Sequence, residues 1–207
     1  MRIQSLTPSQ RVAGRWLAGL EDGTILRVGE NEVVSFSLYA GKELDEGTLE
    51  GLKAAAHASR LKEKALNLLA VKPMSRKALE GKLAQWEASP EETEALCGRL
   101  EELGYLDDAR YGAMVARHYS RKGYGPAKIR EELYRRGVPR ELWDDAVAEM
   151  EDTDQALDAF LDKKLKGGPL PDDPRERKRL TDACARRGFS WQDISQAMAR
   201  RGGGWED

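Results

Sequence analysis

Gly104-Tyr105-Leu106-Asp107-Asp108, followed by Tyr111, Gly125-Pro126, Ile129, Leu133 and Arg136-Gly137-Val138, is the stretch that decides the fold. Asp107 stands where an N-cap belongs, ahead of Tyr111, Met114, Val115, His118 and Tyr119 on one helical face. Gly123 ends that helix, and Gly125-Pro126 starts the next with proline at its first position. Gly137 takes the favoured place past a helix end. Pro139 opens a third helix, expected to pack Leu142, Trp143, Ala146, Val147 and Met150.

The same unit recurs on both sides. A shift of fifty residues carries Ile129 and Leu133 onto Leu79 and Leu83. A shift of fifty-one the other way carries Leu133, Gly137, Val138 and Trp143 onto Cys184, Gly188, Phe189 and Ile194. Units of this length bury their apolar faces only by stacking. The expected fold is therefore mainly α, built of tandem three-helix repeats.

Outward from the central unit, Asp45 caps a long helix whose stripe is Leu49, Leu52, Ala56, Leu61, Ala65, Leu68 and Leu69. Ser75 caps a helix with Leu79, Leu83 and Trp86 inward, and Ser89-Pro90-Glu91-Glu92 is a capping box before Leu96, Leu100 and Leu103. The third unit places Leu157, Phe160, Leu161 and Leu165 on its first helix, with caps at Asp173 and Ser190. Residues 1–44 differ: Trp16–Leu20 and Ile25–Val28 flank Glu21-Asp22-Gly23-Thr24, a hairpin signal, and 32–38 is undecided between strand and helix. The expected divisions are 1–44 as a small β-containing module, repeats at 45–105, 106–151 and 152–201, and a flexible tail at 202–207.

Of the 207 residues 34% are charged, yet the net charge is only −2. The charges come in blocks: nine Lys/Arg against two acids over 110–140, nine acids and no base over 141–162, then six bases against two acids over 175–187. Such blocks either neutralise one another across neighbouring helices or create local potentials that the total conceals. Arg110, Arg117, Arg121, Lys122, Lys128, Arg130, Arg135 and Arg136, read as lying away from the apolar stripe, and Arg175, Arg177, Lys178 and Arg179 are the candidate contacts to phosphates or acidic protein surfaces.

Catalytic chemistry finds no footing. His57 and His118 are far apart and neither lies near a cysteine pair, so no metal site or cofactor is expected. Asp107-Asp108 reads as helix capping rather than acid–base machinery. Cys97 and Cys184 read as reduced thiols, and with no apolar run of about 18 residues the expectation is a cytoplasmic chain without a membrane segment.

The ordered set Gly104, Tyr105, Leu106, Asp107, Asp108, Tyr111, Arg117, Arg121, Gly125, Pro126, Ile129, Leu133, Arg136, Gly137 and Val138 resembles the central signature of the bacterial RecX regulatory family. Residues 65–69 with Ser75, Arg76, Leu79 and Leu83 resemble that family's first repeat, and Gly41-Lys42-Glu43-Leu44 the stretch leading into it. The resemblance implies an elongated, curved array of three-helix repeats. It implies a non-enzymatic modulator that binds RecA, or its filament on single-stranded DNA, and suppresses ATPase, coprotease and strand-exchange activities. That places the chain in DNA repair, homologous recombination and the SOS response, as a monomer with weak direct DNA binding at most, given its net charge. A stand-alone DNA-binding protein and an adaptor for another partner stay open. Two glycines depart from the family pattern: Gly112, where a larger residue is expected, and Gly81 inside a helix.

Overall fold

The structure is a computed structural model that describes residues 1–150 and 152–202. Of the expected tail only Gly202 is among them; 203–207 lie outside the described residues. Among these residues there are ten α-helices and one three-stranded antiparallel sheet. The chain forms two compact units, Met1–Lys72 with Lys82–Gly98, and Pro73–Gly81 with Arg99–Asp207.

In the first unit, β1 (Ile3–Pro8), β2 (Arg15–Leu20) and β3 (Ile25–Gly29) lie in that order. The Asp22 carboxylate accepts from the Thr24 N–H at 2.9 Å, and Gly23 supplies the positive φ of +84° that closes the hairpin. The undecided segment is a helix, α1 (Glu30–Ser35): the buried Glu32 carboxylate accepts the Gly29 N–H at 2.7 Å and satisfies the helix start. The long α2 (Glu46–Val71) begins where Asp45 accepts the Thr48 N–H at 2.7 Å. Ile3, Leu20 and Val28 from the sheet share a core with Leu38, Leu44, Leu49 and Leu52. The apolar period of α2 thus serves the sheet in its first turns.

Two helices follow, α3 (Arg76–Gln85) and α4 (Pro90–Glu102). Ser89 and Glu92 form the expected capping box, and Glu92 also takes the His57 Nδ1 at 3.0 Å. Leu103, expected to face inward, is exposed. Gly104, at φ +71°, turns the chain after α4, and Tyr105 and Leu106 both donate to the Leu100 carbonyl. That turn gives the buried position to Leu106 and leaves Tyr105 58% exposed.

The second unit holds α5 (Asp108–Arg121), α6 (Pro126–Arg135), α7 (Trp143–Ala148), α8 (Thr153–Leu165), α9 (Pro174–Arg186) and α10 (Trp191–Arg200). Asp107 caps α5 by accepting the Arg110 N–H at 2.8 Å. The expected third helix from Pro139 is shorter, with a 3-10 turn at Arg140–Leu142 before α7. Tyr111, Val115, Ala116, Ile129, Leu133, Val138 and Ala146 make one core; Leu157, Phe160, Leu161, Leu180, Cys184, Phe189, Ile194, Ala197 and Met198 make the next. Met114 and His118, expected on the core stripe, are exposed; His118 packs edge-on against Tyr119. Gly112 faces the core: a Cβ there would make contact with Ala146 and Val138 at 3.4 Å each and with Leu133 at 3.7 Å.

One joint is made twice. The Gly125 N–H donates to the Arg187 carbonyl at 2.8 Å and the Ala127 N–H to the Gly188 carbonyl at 3.1 Å, so the end of α9 satisfies the start of α6. Fifty residues earlier, the Ser75 hydroxyl, which accepts from the Ala78 N–H at the start of α3, donates to the Arg136 carbonyl at 2.5 Å just past α6. In both places the glycine that ends one helix presses on the beginning of another. A Cβ on Gly188 would lie 2.4 Å from the Lys128 nitrogen, and one on Gly137 would lie 2.9 Å from the Lys77 Cβ. The start of α9 is closed differently, by its own Asp173 accepting the Arg175 N–H at 2.9 Å.

Gly188→Ala is expected to cost at least ~2 kcal/mol, because a methyl would collide with backbone at a positive φ. Gly81→Ala, at an open helical site, should stabilise by up to ~1 kcal/mol. Urea unfolding measures both, and amide exchange at Ala127 should quicken only in the first.

Candidate functional site

The residues singled out for binding lie on α5, α6 and α9, and the structure separates them into held and unheld charges. Arg117 pairs with Glu149 at 3.0 Å and Arg130 with Asp144 at 2.9 Å, so the acidic block neutralises part of the basic one across α5–α7. Lys128 pairs with Glu131 at 2.6 Å. Arg135 bonds Glu132 at 2.6 Å. Two further arginines on α10 and just past it, Arg200 and Arg201, engage Asp154, Asp158 and Asp162 on α8.

Arg136 is half-buried, and not on an outer face. Its guanidinium donates to the Tyr111 and Tyr119 hydroxyls, each at 3.3 Å, and lies over the Tyr119 ring at 5.7 Å. Its carbonyl receives Ser75, so it holds the joint from both ends. Beside it, Glu132 is buried. Burial pushes its carboxyl up, but hydrogen bonds from Arg135 and Tyr119 and the charges of Arg135 and Arg136 outweigh that and hold it below 4.5.

Of the remaining candidates, Arg110 and Lys122 are exposed with no carboxylate partner among the described residues, and Lys122 lies over the Tyr119 ring. Arg121 is exposed as well. On α9, Arg177 donates to the Pro171 carbonyl at 2.6 Å. Arg175, Lys178 and Arg179 are exposed and have no carboxylate partner among the described residues. With Arg186 they share one helical face, whose single acid is Asp182.

Two surfaces collect cations with aromatic rings. The larger is a groove of about 850 Å³ along the joint of α3 and α6, lined by Arg76, Lys77, Tyr134, Arg135, Arg140 and Trp143 among others, with Glu80 and Asp108 as its acids. Tyr134 is 73% exposed and meets Trp143 edge-on at 6.3 Å, while the Trp143 indole N–H is fixed on the Val138 carbonyl at 2.9 Å. The second is a hollow of about 410 Å³ between the end of α5 and α8, where Arg121, Lys122 and Lys163 approach Phe160 and Arg187. Arg187 is stacked between Tyr124 and Phe160 at 4.5 and 4.9 Å and donates to the Lys122 carbonyl.

The sequence reading omits Lys77, Tyr134, Arg140 and Arg187. An aromatic on the polar side of α6, next to Leu133, was the available signal for Tyr134. Exposed Tyr, Trp and Arg held in place are the residue types that dominate binding at protein interfaces, and the cations equally suit phosphates. Burial pushes the Cys184 thiol up to about 11, so it stays protonated and inert. The signature residues lie in caps, turns and cores: Asp108 accepts the Arg76 N–H at 2.8 Å, and Ile129 and Leu133 are fully buried.

Family models described as the first, second and third three-helix domains of RecX match residues 62–100, 107–147 and 151–198. A regulatory protein RecX of Pseudomonas entomophila is 40% identical over 135 residues, covering 65% of this chain and 86% of that protein. The chain belongs to the RecX family. The RecX of Cronobacter sakazakii is 35% identical over 147 residues, covering 66% of this chain and 88% of its own length. A solved RecX structure matches with a TM-score of 0.72 at 20% identity, over 96% of this chain and 98% of that one. RecX from Lactobacillus salivarius matches with a TM-score of 0.61 at 21% identity, over 72% of this chain and 98% of its own. At those identities the two structures speak for the RecX fold. No described helix is long and apolar enough to cross a membrane.

Because the folded pKa of Glu132 is depressed, its stabilisation is fully present above the ordinary value of 4.5 and is lost as pH falls through the folded value. Glu132→Gln should therefore destabilise the chain by roughly 1–3 kcal/mol at pH 7. The difference should shrink below pH ~4.5, as read by urea midpoints against pH.

Proposed function

We propose that this chain binds RecA, or the RecA filament on single-stranded DNA, and inhibits its ATPase, coprotease and strand-exchange activities without catalysing a reaction itself. Membership of the RecX family supports this, as does the regulatory role in the names of its relatives. The observation that carries it is the joint groove, where Tyr134, Trp143, Lys77 and Arg140 gather beside a hydrogen-bonded backbone. A filament repeats one surface at every protomer, and a row of like repeats can meet successive copies through distributed contacts of matched charge. In the same proposal 45–105, 106–151 and 152–201 are the repeating elements and 1–44 a separate module.

The α9 row of Arg175, Lys178 and Arg179 favours a second contribution, direct contact with DNA phosphates. Arg110, near the start of α5, and Lys122, just past its end, offer further exposed cations. Arg117, Lys128, Arg130 and Arg136 contribute chiefly through the structure, since their charges are already engaged.

RecA's single-stranded-DNA-dependent ATP hydrolysis, titrated with this protein at fixed salt, tests the proposal. The pair Tyr134→Ala and Arg140→Glu, and separately the triple reversal of Arg175, Lys178 and Arg179 to Glu, should each raise the half-inhibitory concentration about tenfold or more. Circular dichroism should be unchanged. Equal inhibition by both well-folded variants would overturn the assignment of these surfaces. Inhibition that tracks occupancy of naked DNA, and falls steeply with salt, would give the activity to DNA masking instead.

A further inference from the structure

The N-terminal sheet is covered at the start of its β1 edge, and its β3 edge carries no further strand among the described residues. Along β1, the segment before α2 folds back as an extra partner: Ile3 donates to the Lys42 carbonyl at 2.9 Å, Gly41 to the Ile3 carbonyl at 2.7 Å, and Arg2 bridges Glu43. β3 pairs with β2 alone. An antiparallel edge strand points the N–H and C=O of alternate residues away from its neighbour, and such a row is a template for another strand.

A crevice runs beside that open edge. Two adjoining cavities, of about 380 and 210 Å³, share Arg27, Ala56 and Arg60. Between them β3 contributes all five of its residues, Ile25–Gly29, to one wall, and α2 contributes the other, from Lys53 to Asn67. The Gly29 N–H is taken by the Glu32 carboxylate, which leaves Ile25 to Val28, roughly 13 Å of edge. Ile25 is 63% exposed at its outer end. An edge strand facing a helix across a groove is the arrangement that takes up an extended peptide by strand addition.

The charge of the crevice selects the peptide. Arg27 and Arg60 are exposed and have no carboxylate partner among the described residues. Lys64 lies over the Trp86 ring at 5.1 Å instead of on an acid. Arg15 is held by Glu63 at 2.6 Å, Lys53 by Glu50 at 2.7 Å, and His57 by Glu92 at 3.0 Å; Glu63 is the one carboxylate in the lining. The same charges disfavour a second copy of this chain. Antiparallel pairing of β3 with itself about its centre would set Arg27 directly opposite Arg27, a destabilising juxtaposition. The described lining has no Phe, Tyr or Trp, and its one imidazole, His57, is held by Glu92, so the crevice makes a poor platform for stacking nucleic-acid bases.

We propose that the crevice between β3 and α2 is a docking site for an extended acidic peptide segment of a partner protein, which adds to β3 as a fourth strand. Main-chain hydrogen bonds to the open edge hold the segment, and its carboxylates meet Arg27 and Arg60. The site does not depend on RecA being the partner of the helical repeats.

A fluorescein-labelled hexapeptide of alternating valine and glutamate, followed by fluorescence anisotropy with the full chain, is the test. Saturable binding is expected at low salt. It should weaken at least tenfold in Arg27→Glu/Arg60→Glu, a pair of exposed sites at which unchanged circular dichroism checks the fold. It should weaken likewise when alternate residues of the peptide are N-methylated, since that removes main-chain donors while keeping its charge. A lysine-for-glutamate version should not bind. No binding at millimolar peptide would overturn the site. Equal binding of the N-methylated peptide would overturn strand addition, and a dimer abolished by Arg27→Glu would give the edge to a second copy.

Discussion

The helical repeats depend on the meeting of two kinds of unsatisfied backbone group. A helix end leaves carbonyls without partners and a helix start leaves N–H groups without partners. At α9 and α6 each supplies the other, with Gly188 close enough to the Lys128 backbone that no side chain intervenes. At α6 and α3 the Ser75 hydroxyl mediates, and Gly137 again makes the approach. Dipoles laid end to start reinforce the bond in both places. The groove with Tyr134 and the hollow with Arg187 both lie at these joints, because there helix ends bring distant cations together.

Much of this fold could be read from spacing. The shift of fifty or fifty-one residues that aligns Leu133, Gly137 and Val138 with Cys184, Gly188 and Phe189 is the spacing that repeats the joint. Caps at Asp45, Ser89, Asp107, Asp173 and Ser190 stand where their residue types predict. Periodicity failed where tertiary geometry intervened. Met114 and His118 carry the right spacing on α5 but lie beyond the width of the core, and at the left-handed turn of Gly104 burial goes to Leu106 while Leu103 is exposed. The helical identity of 30–35 rests on one carboxylate folding back onto Gly29, a contact that no short-window pattern contains.

The candidate binding residues were legible as types and not as states. Composition marks Arg117, Arg130 and Arg136 as cations like any others. Only the fold shows that the first two are held by acids from the following block and the third by tyrosine hydroxyls. Charge blocks of opposite sign, adjacent in sequence, here serve packing between neighbouring helices, and the cations left over are fewer than the count in the sequence suggests. Engaged arginines of this kind have little to offer a partner without first giving up what they hold.

The start of α9 gives the array its punctuation. The starts of α6 and α3 both bond to a helix end further along the chain, α3 through the same Ser75 hydroxyl that caps it, while α9 is capped by the carboxylate of Asp173. A joint of this kind has two halves, a donor start and a glycine-led acceptor end, and every internal unit carries one of each. Growth by duplication would then require only another unit of the same length with both halves intact. The difference lies in one proton: the Ser75 hydroxyl accepts from its own helix and still donates to a neighbouring carbonyl, whereas the Asp173 carboxylate can only accept, so a helix opened by aspartate closes itself and passes no bond on.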